Sequence, residues 1–292
     1  MISFADNSVE NDLKRLWREC FGADDKYLNM YFGTRYRHEN TLVYLVNQRA
    51  AAMLTMLPIC LAANNKEYSA RYIFAVATLS EYRGRGLSTQ LLKFADDYMS
   101  SNNIAAAVLA PANASLFGFY RQRGYSTLFN IKQVTVNCSE INCGCCDDIL
   151  AGDISAQQYA KLRDASFADA SIYAKWDVQQ LEYIKTELEL FGGGFFSFKK
   201  GAYIACAALE NNNETVKIKE IITDGKITVE EILACICKMF APQKLVVNMR
   251  QSSGTIFSSE ILPYAMIKWY NNIELPTVEN GENKPYISLV SD

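Results

Sequence analysis

The stretch "TLVYLVNQRAAAMLTMLPICLAANNKEYSARYIFAVATLS", residues 41–80, constrains the fold most. It holds three runs rich in β-branched, aliphatic and aromatic residues, and the polar pairs Asn47-Gln48 and Asn64-Asn65 interrupt them. Polar pairs between apolar runs mark tight turns, so the segment reads as three consecutive strands. "YRGRGLSTQLL", residues 82–92, follows at once. Beyond its two glycines, Leu87, Leu91, Phe94, Ala95 and Tyr98 share one face of a helix over Leu87 to Met99. "IAAAVLA" is then a short apolar strand, Ala114 to Arg123 a helix and Leu128 to Val136 a strand. Two helices precede the three-strand run: Asn7 to Phe21, with Val9, Leu13, Leu16 and Trp17 on one side, and Lys26 to Arg35.

The order recurs. After an aperiodic stretch from Asn137 to Asp153 come helices over Ser155 to Phe167 and Asp177 to Leu188. "GGFFSFKKGAYIACAALE" reads as a hairpin turning at Lys199-Lys200-Gly201, and "ETVKIKEIIT" as a third strand. "TVEEILACICKMF" is a helix capped by Thr228 with Glu231 three residues on, a capping-box pattern. "KLVVNMR" is a strand, and "YAMIKWY" and "YISLV" read as a final pair. Repeated order argues for duplication. The expected fold is α+β (α/β by some schemes), with two tandem domains, each a mixed, mostly antiparallel sheet flanked by helices. The domains divide as 1–137 and 154–292, joined by a linker over 138–153.

Several classes are set aside by composition. The formal net charge is -3 and no basic arm is present, which gives no reason to expect nucleic acid. No apolar run spans a bilayer. The start "MISFADNSVENDLKRLWREC" lacks the apolar core of a secretory leader, so the expected location is cytoplasmic. The single histidine, His38, sits in a charged segment, which leaves Tyr, Cys, Asp, Glu or a chain terminus for acid–base work. Of nine cysteines, Cys60, Cys206, Cys235 and Cys237 lie in core-like runs and read as buried free thiols. Cys143, Cys145 and Cys146 lack a fourth ligand at a usual spacing, so no metal is expected.

The glycine–arginine turn joins a strand end to a helix start. A helix N-terminus leaves backbone N–H groups without partners and carries positive potential. Gly84 and Gly86 permit a tight turn, while Arg83 and Arg85 add charge and Ser88 and Thr89 hydroxyls. The arrangement suits a phosphate or pyrophosphate. No Gly-Lys-Ser/Thr follows, so it is not a Walker loop.

"EYRGRGLSTQLL" resembles the acyl-coenzyme A loop of the GNAT (GCN5-related) N-acetyltransferases. That family's pattern is Gln or Arg, two residues, Gly, one residue, Gly or Ala. Arg83, Gly86 and Ser88 fall on it, with Gly84, Arg85 and Leu87 between, and Ser88 departs from the last position. "PANASLFGFYRQRGYSTL" resembles the family's later helix and turn: Phe119-Tyr120 precede Gly124-Tyr125, and Asn113 matches a residue that often begins the helix. The resemblance covers about Thr41 to Val136. The two-part layout resembles the branch of the mycobacterial enhanced-intracellular-survival (Eis) acetyltransferase, in which a second, degenerate copy follows the active one. "IITDGKITVEEIL" has no arginine and puts Glu230-Glu231 at the helix start, where two carboxylates repel a pyrophosphate.

The resemblance implies transfer of an acetyl group from acetyl-CoA to a primary amine, of a small cationic molecule or a lysine side chain, by direct attack. It implies that Val76, Ala77 and Thr78 line the pantetheine arm and that Arg83 to Ser88 hold the pyrophosphate. Asn113 either touches the cofactor or caps its helix. Tyr120 is implied as the acid that protonates the leaving thiolate. The terminal carboxylate of Asp292, Glu81 or a water chain serves as base. Tyr27, Tyr31, Phe32 and Tyr36 are either walls of the acceptor pocket or core. The other reading is a non-catalytic acyl-CoA sensor or scaffold, which the retained Tyr120 disfavours. Two similar halves also leave room for a homo-oligomer.

Overall fold

The computed structural model describes residues 1–63, 66–270 and 284–290. The chain opens with β1 (Ile2–Phe4), α1 (Glu10–Phe21) and α2 (Asp25–Thr34). The expected three strands follow as β2 (Thr41–Val46), β3 (Arg49–Ala63) and β4 (Lys66–Thr78). Asn47 and Gln48 both take positive φ, 49° and 63°, the conformation of a two-residue hairpin turn. Then come α3 (Leu87–Ser101), β5 (Ala106–Leu109), α4 (Ala114–Arg121) and β6 (Ser126–Asn137).

The later residues supply β7 (Leu150–Asp153), α5 (Ala156–Phe167), β8 (Tyr173–Lys175), α6 (Val178–Leu190), β9 (Gly194–Lys200) and β10 (Tyr203–Asn211). They end with β11 (Thr215–Ile222), α7 (Val229–Phe240), β12 (Lys244–Met249) and β13 (Ser259–Trp269). The series β2–β3–β4–α3–β5 recurs as β9–β10–β11–α7–β12. In each, three antiparallel strands lead into a helix and a strand parallel to the third.

Among the described residues these strands form one continuous sheet, ordered β1-β2-β3-β4-β5-β13-β6-β12-β11-β10-β9-β7, with β8 beside β3. β13 lies between β5 and β6, antiparallel to both. β6 pairs on its other edge with β12. The late strand β13 therefore completes the early part of the sheet, and β6 carries the sheet into the later part. One apolar core under α1, α2, α5 and α6 includes Leu13, Leu16, Trp17, Tyr31, Tyr159 and Leu181, and it unites both halves. α7 and α3 cover two further cores on the sheet.

Three expectations change. "YISLV" does not pair with β13: its described residues run as extended chain beside β8, joined by the parallel bridge Tyr173↔Tyr286. The reason is that β5 and β6 already occupy both edges of β13. The stretch read as a linker contains β7, which pairs with β9. Cys237 is not a free thiol but is disulfide-bonded to Cys138, which the turn after β6 brings against α7. No helix among the described residues is long and apolar enough to cross a membrane.

Candidate active site

β4 and β5 run parallel and paired from Ala70↔Ala106 to Tyr72↔Val108, and then part. On its other edge β4 stays with β3, but the register shifts between Met53 and Thr55. Ala75 sits opposite this shift with φ 51°, a bulge that bends the strand away from β5. Bulges re-aim side chains and end pairing, which leaves the last residues of β4 with one free backbone edge.

A cavity of about 680 Å³ opens in that divergence. Ile73 to Val76 of β4 form one wall, and Leu109 and Ala110 at the end of β5 with Leu116 and Tyr120 of α4 form another. Trp17, Tyr27 and the turn at Gly22-Ala23 close it from the early helices. Glu187 and Phe191, Lys217 and Lys219, and Leu289 and Val290 complete it from the later part of the chain.

Tyr120 is 7% exposed, stacked edge-on against Tyr125 at 5.8 Å and Phe119 at 5.1 Å. Burial pushes its hydroxyl up to about 12, against a smaller opposing pull from the Arg123 guanidinium. It is a protonated donor throughout the neutral range. Arg123 lies over the Phe119 ring at 3.4 Å and donates to the Phe119 carbonyl and to Thr89 Oγ1, tying the end of α4 to the first turn of α3.

The loop between β4 and α3 begins where the cavity wall ends. Gly84 and Gly86 have φ of 74° and 75°, in the left-handed region that favours glycine. Gly86 is the residue before α3 and no side chain caps that helix, so its first-turn amides remain for a ligand. Arg83 Nε donates to the Thr78 carbonyl at 3.1 Å. Arg85 donates to the Glu81 carbonyl at 3.0 Å and lies over the Tyr82 ring. Leu87 points into the core beneath α3, so only its backbone serves the loop, whereas Ser88 is half-buried. Glu81 pairs with Arg15 at 3.0 Å on the surface.

The remaining expected residues divide. Val76 lines the cavity, Ala77 is buried in the core, and the Thr78 carbonyl accepts from Arg83 and Cys20. The Asn113 side-chain oxygen Oδ1 caps α4, accepting from Ser115 N at 3.1 Å and Leu116 N at 3.3 Å. Of the four aromatics, Tyr27 reaches the cavity. Tyr31 is core, 4.6 Å from Trp17, and Tyr36 packs on Phe32 at 4.7 Å beside it. Asp292 lies outside the described residues. His38 stacks against Tyr36 away from the cavity.

Sequence reading missed the later half's share. Glu187, 8% exposed, accepts the Tyr27 hydroxyl at 2.9 Å and the Tyr183 hydroxyl at 3.1 Å. Burial and the Glu187 charge push the Tyr27 hydroxyl far above its ordinary value. Lys219 pairs with Glu210 at 3.0 Å on the same wall. No local motif marks these residues, because topology alone brings them to the cleft. The cysteine-rich turn lies against α7, and no cluster able to hold a metal occurs among the described residues.

The corresponding cleft of the later half, a cavity of about 770 Å³, opens at the N-terminus of α7. There Thr228 and Glu231 close a capping box on each other's amides, and Glu230 accepts from Ile256 N at 2.7 Å. Carboxylates occupy the place where α3 offers amides.

Residues 2–128 match the family model of the acetyltransferase (GNAT) domain. Solved structures resemble most of the chain. A probable N-acyltransferase from Enterococcus faecalis V583 aligns with a TM-score of 0.73 at 15% identity, covering 92% of this chain and 72% of that one. A GCN5-related N-acetyltransferase from Anabaena variabilis ATCC 29413 gives 0.72 at 16% identity, covering 93% and 73%. Eis1 from Mycobacterium abscessus gives 0.67 at 10% identity, covering 92% and 73%. At such identities the likeness is one of fold. No curated protein matches the chain.

Proposed function

We propose that the chain, whose residues 2–128 match the GNAT acetyltransferase domain model, transfers an acetyl group from acetyl-CoA to a primary amine, with its active site in the cleft between β4 and β5. The observation that carries this reading is the junction of three parts. They are a free strand edge over Ile73 to Val76, an uncapped glycine-bracketed helix start directly after it, and Tyr120 on the opposite wall.

In this reading the pantetheine arm extends β4 by strand-like pairing, and the Arg83–Ser88 backbone holds the pyrophosphate. Arg83 and Arg85 swing from their present carbonyl partners to the phosphates. The amine nitrogen attacks the acetyl carbonyl carbon, the carbon–sulfur bond breaks, and the Tyr120 hydroxyl gives its proton to the departing thiolate. Backbone N–H groups of β4 beyond the bulge face the oxyanion. The acceptor enters between α2 and α6, where Glu187 favours a cationic amine and Trp17 and Phe191 favour an apolar body beside it.

The later half, in this reading, is the degenerate second copy of an Eis-like pair, divided from the first at 138–153, with its strand β13 inserted between β5 and β6. It has lost the anion site and supplies part of the acceptor wall. Calorimetric titration of acetyl-CoA into wild type and a Gly86→Glu variant tests the reading. Binding that the folded variant loses supports it; a well-folded wild type that binds no acetyl-CoA removes it.

A further inference from the structure

The most buried charged cluster among the described residues lies outside the cavity. Arg163 of α5 is 1% exposed and Glu220 of β11 is 0% exposed. Arg163 Nε donates to Glu220 Oε2 at 3.2 Å and Oε1 at 3.3 Å, and its Nη1 donates to the Ala174 carbonyl at 2.6 Å. The Tyr159 hydroxyl donates to Glu220 Oε2 at 2.8 Å. The Tyr286 hydroxyl joins the same group, and so does Ser288. Its hydroxyl accepts from Arg163 Nη2 at 3.4 Å and donates to Glu220 Oε1, while its carbonyl accepts from Trp176 Nε1 at 3.1 Å.

A buried ion pair is a poor source of stability, because desolvation offsets the attraction, and apolar replacements are often neutral or better. Its value lies in fixing one arrangement. What this one fixes is the segment 286–290. Tyr286 is already tied to β8 on both sides, Tyr286 N to Ile172 O at 2.8 Å and Ala174 N to Tyr286 O at 3.2 Å. Ser288 then anchors the chain one residue before the cavity, where Leu289 and Val290 form the wall. Leu289 takes φ 58°, left-handed for a residue with a branched side chain. Such a conformation persists only where the surroundings over-determine it, and Leu289 follows directly on the Ser288 anchor.

Resting on the function proposed above, we infer that Arg163, Glu220 and Ser288 are a positioning clamp. They hold Leu289 and Val290 as the acceptor-side wall of the active cleft, without touching either substrate. The clamp sets amine selection and leaves acetyl-CoA binding alone, since the residues that hold the cofactor come from β4, α3 and α4.

Substituting Arg163 or Glu220 strands a buried charge and risks the fold, so the test is placed on Ser288. Ser288→Val and Ser288→Thr have nearly the same shape, and only the threonine keeps the hydroxyl. Three measurements are made on each: acetyl-CoA affinity by calorimetry, steady-state acetylation of 2-phenylethylamine and spermidine at saturating acetyl-CoA, and amide exchange over 286–290. The expected result for Ser288→Val is a roughly tenfold higher amine KM, faster exchange at Leu289 and Val290, and acetyl-CoA affinity within twofold of wild type. Ser288→Thr should restore the amine KM and the exchange rate, with acetyl-CoA affinity again unchanged. If the two variants behave alike while wild type binds acetyl-CoA, the clamp is overturned and the function stands. The clamp is also overturned if amine KM and acetyl-CoA affinity worsen together. A wild type that binds no acetyl-CoA overturns the proposed function and this inference with it.

Discussion

The Tyr27 hydroxyl donates to Glu187 at 2.9 Å, joining two residues 160 positions apart across the mouth of the cavity. Tyr27 opens α2 and Glu187 sits in α6, so neither half of the chain makes this wall alone. Arg35 lies 4.2 Å over the ring of Tyr183, the second tyrosine on the same carboxylate, which holds the group rigid. Glu187→Gln keeps the shape and removes the charge. It should raise the KM for a cationic amine about tenfold, with acetyl-CoA affinity unchanged. Steady-state kinetics with amine varied at saturating acetyl-CoA decides this. A Gln variant with wild-type KM would remove Glu187 from acceptor recognition.

Two glycines in the same region separate conformational need from space. A methyl group at Gly84 or at Gly118 meets nothing within 4 Å. Gly84 has φ 74°, whereas Gly118 lies inside α4 with helical backbone. Gly84→Ala should therefore cost about 1 kcal/mol and weaken acetyl-CoA binding, because the loop must distort. Gly118→Ala should stabilise by about 0.5–1 kcal/mol through helix propensity. Denaturant unfolding of the two variants side by side checks the signs. Equal effects at both positions would show that the loop does not depend on the left-handed turn.

The early half of the fold was legible because its signals are local. The three strands of residues 41–80 are apolar runs set off by polar pairs, of which Asn47-Gln48 forms the turn and Asn64-Asn65 lies outside the described residues. The glycines before Leu87 announce a backbone that only a tight turn needs. The α7 capping box was legible too: Thr228 N reaches Glu231 Oε2 at 2.8 Å and Glu231 N reaches Thr228 Oγ1 at 3.2 Å. What could not be read was partner choice. β13 has a strand's composition, but nothing in "YAMIKWY" states that it inserts between β5 and β6. β7 is exposed along its whole length, so it has no buried face to create a period. "YISLV" has the apolar residues of a strand, and burial among α5, β8 and β11 explains them instead. The glycine turn before α3 was visible from its residues, whereas Glu187, Lys219 and Leu289 reach the cavity only through the chain's path.

Tyr120 allows a test of acid catalysis by pH. Its hydroxyl is raised to about 12 by burial, so the protonated form persists well past the value of about 10 at which an ordinary tyrosine begins to ionise. Turnover should therefore rise with pH as the amine loses its proton, and show no falling limb from the acid below about pH 10. Tyr120→Phe should lower kcat about 100-fold with acetyl-CoA affinity within threefold, since the ring still fills its place against Tyr125. A falling limb near pH 8 in wild type, retained in the Phe variant, would assign the limiting group elsewhere.

Asp12 bears on stability, away from the chemistry. It is 4% exposed on α1 and accepts from Arg49 Nε at 2.8 Å and from the Ala50 amide at 3.0 Å, fastening the helix to the start of β3. The hydrogen bond from Arg49 is the main cause holding its carboxyl below the ordinary value of 3.8. A carboxyl with a lower value in the folded than in the unfolded chain contributes stability at neutral pH, and that contribution is lost as pH falls below about 4. The Arg49 side chain is 72% exposed, so solvent screens the ion pair, and Asp12→Asn should cost only about 0.5–1 kcal/mol at pH 7. Asp12→Ala also strips the buried Ala50 amide of its acceptor and should cost about 2–3 kcal/mol. Urea unfolding at pH 7 and at pH 3 measures both. The gap between wild type and Asn should narrow at the lower pH, while the Ala variant stays less stable at both. An Asn variant as destabilised as Ala would mean that the charge, rather than the amide's partner, holds α1 to the sheet.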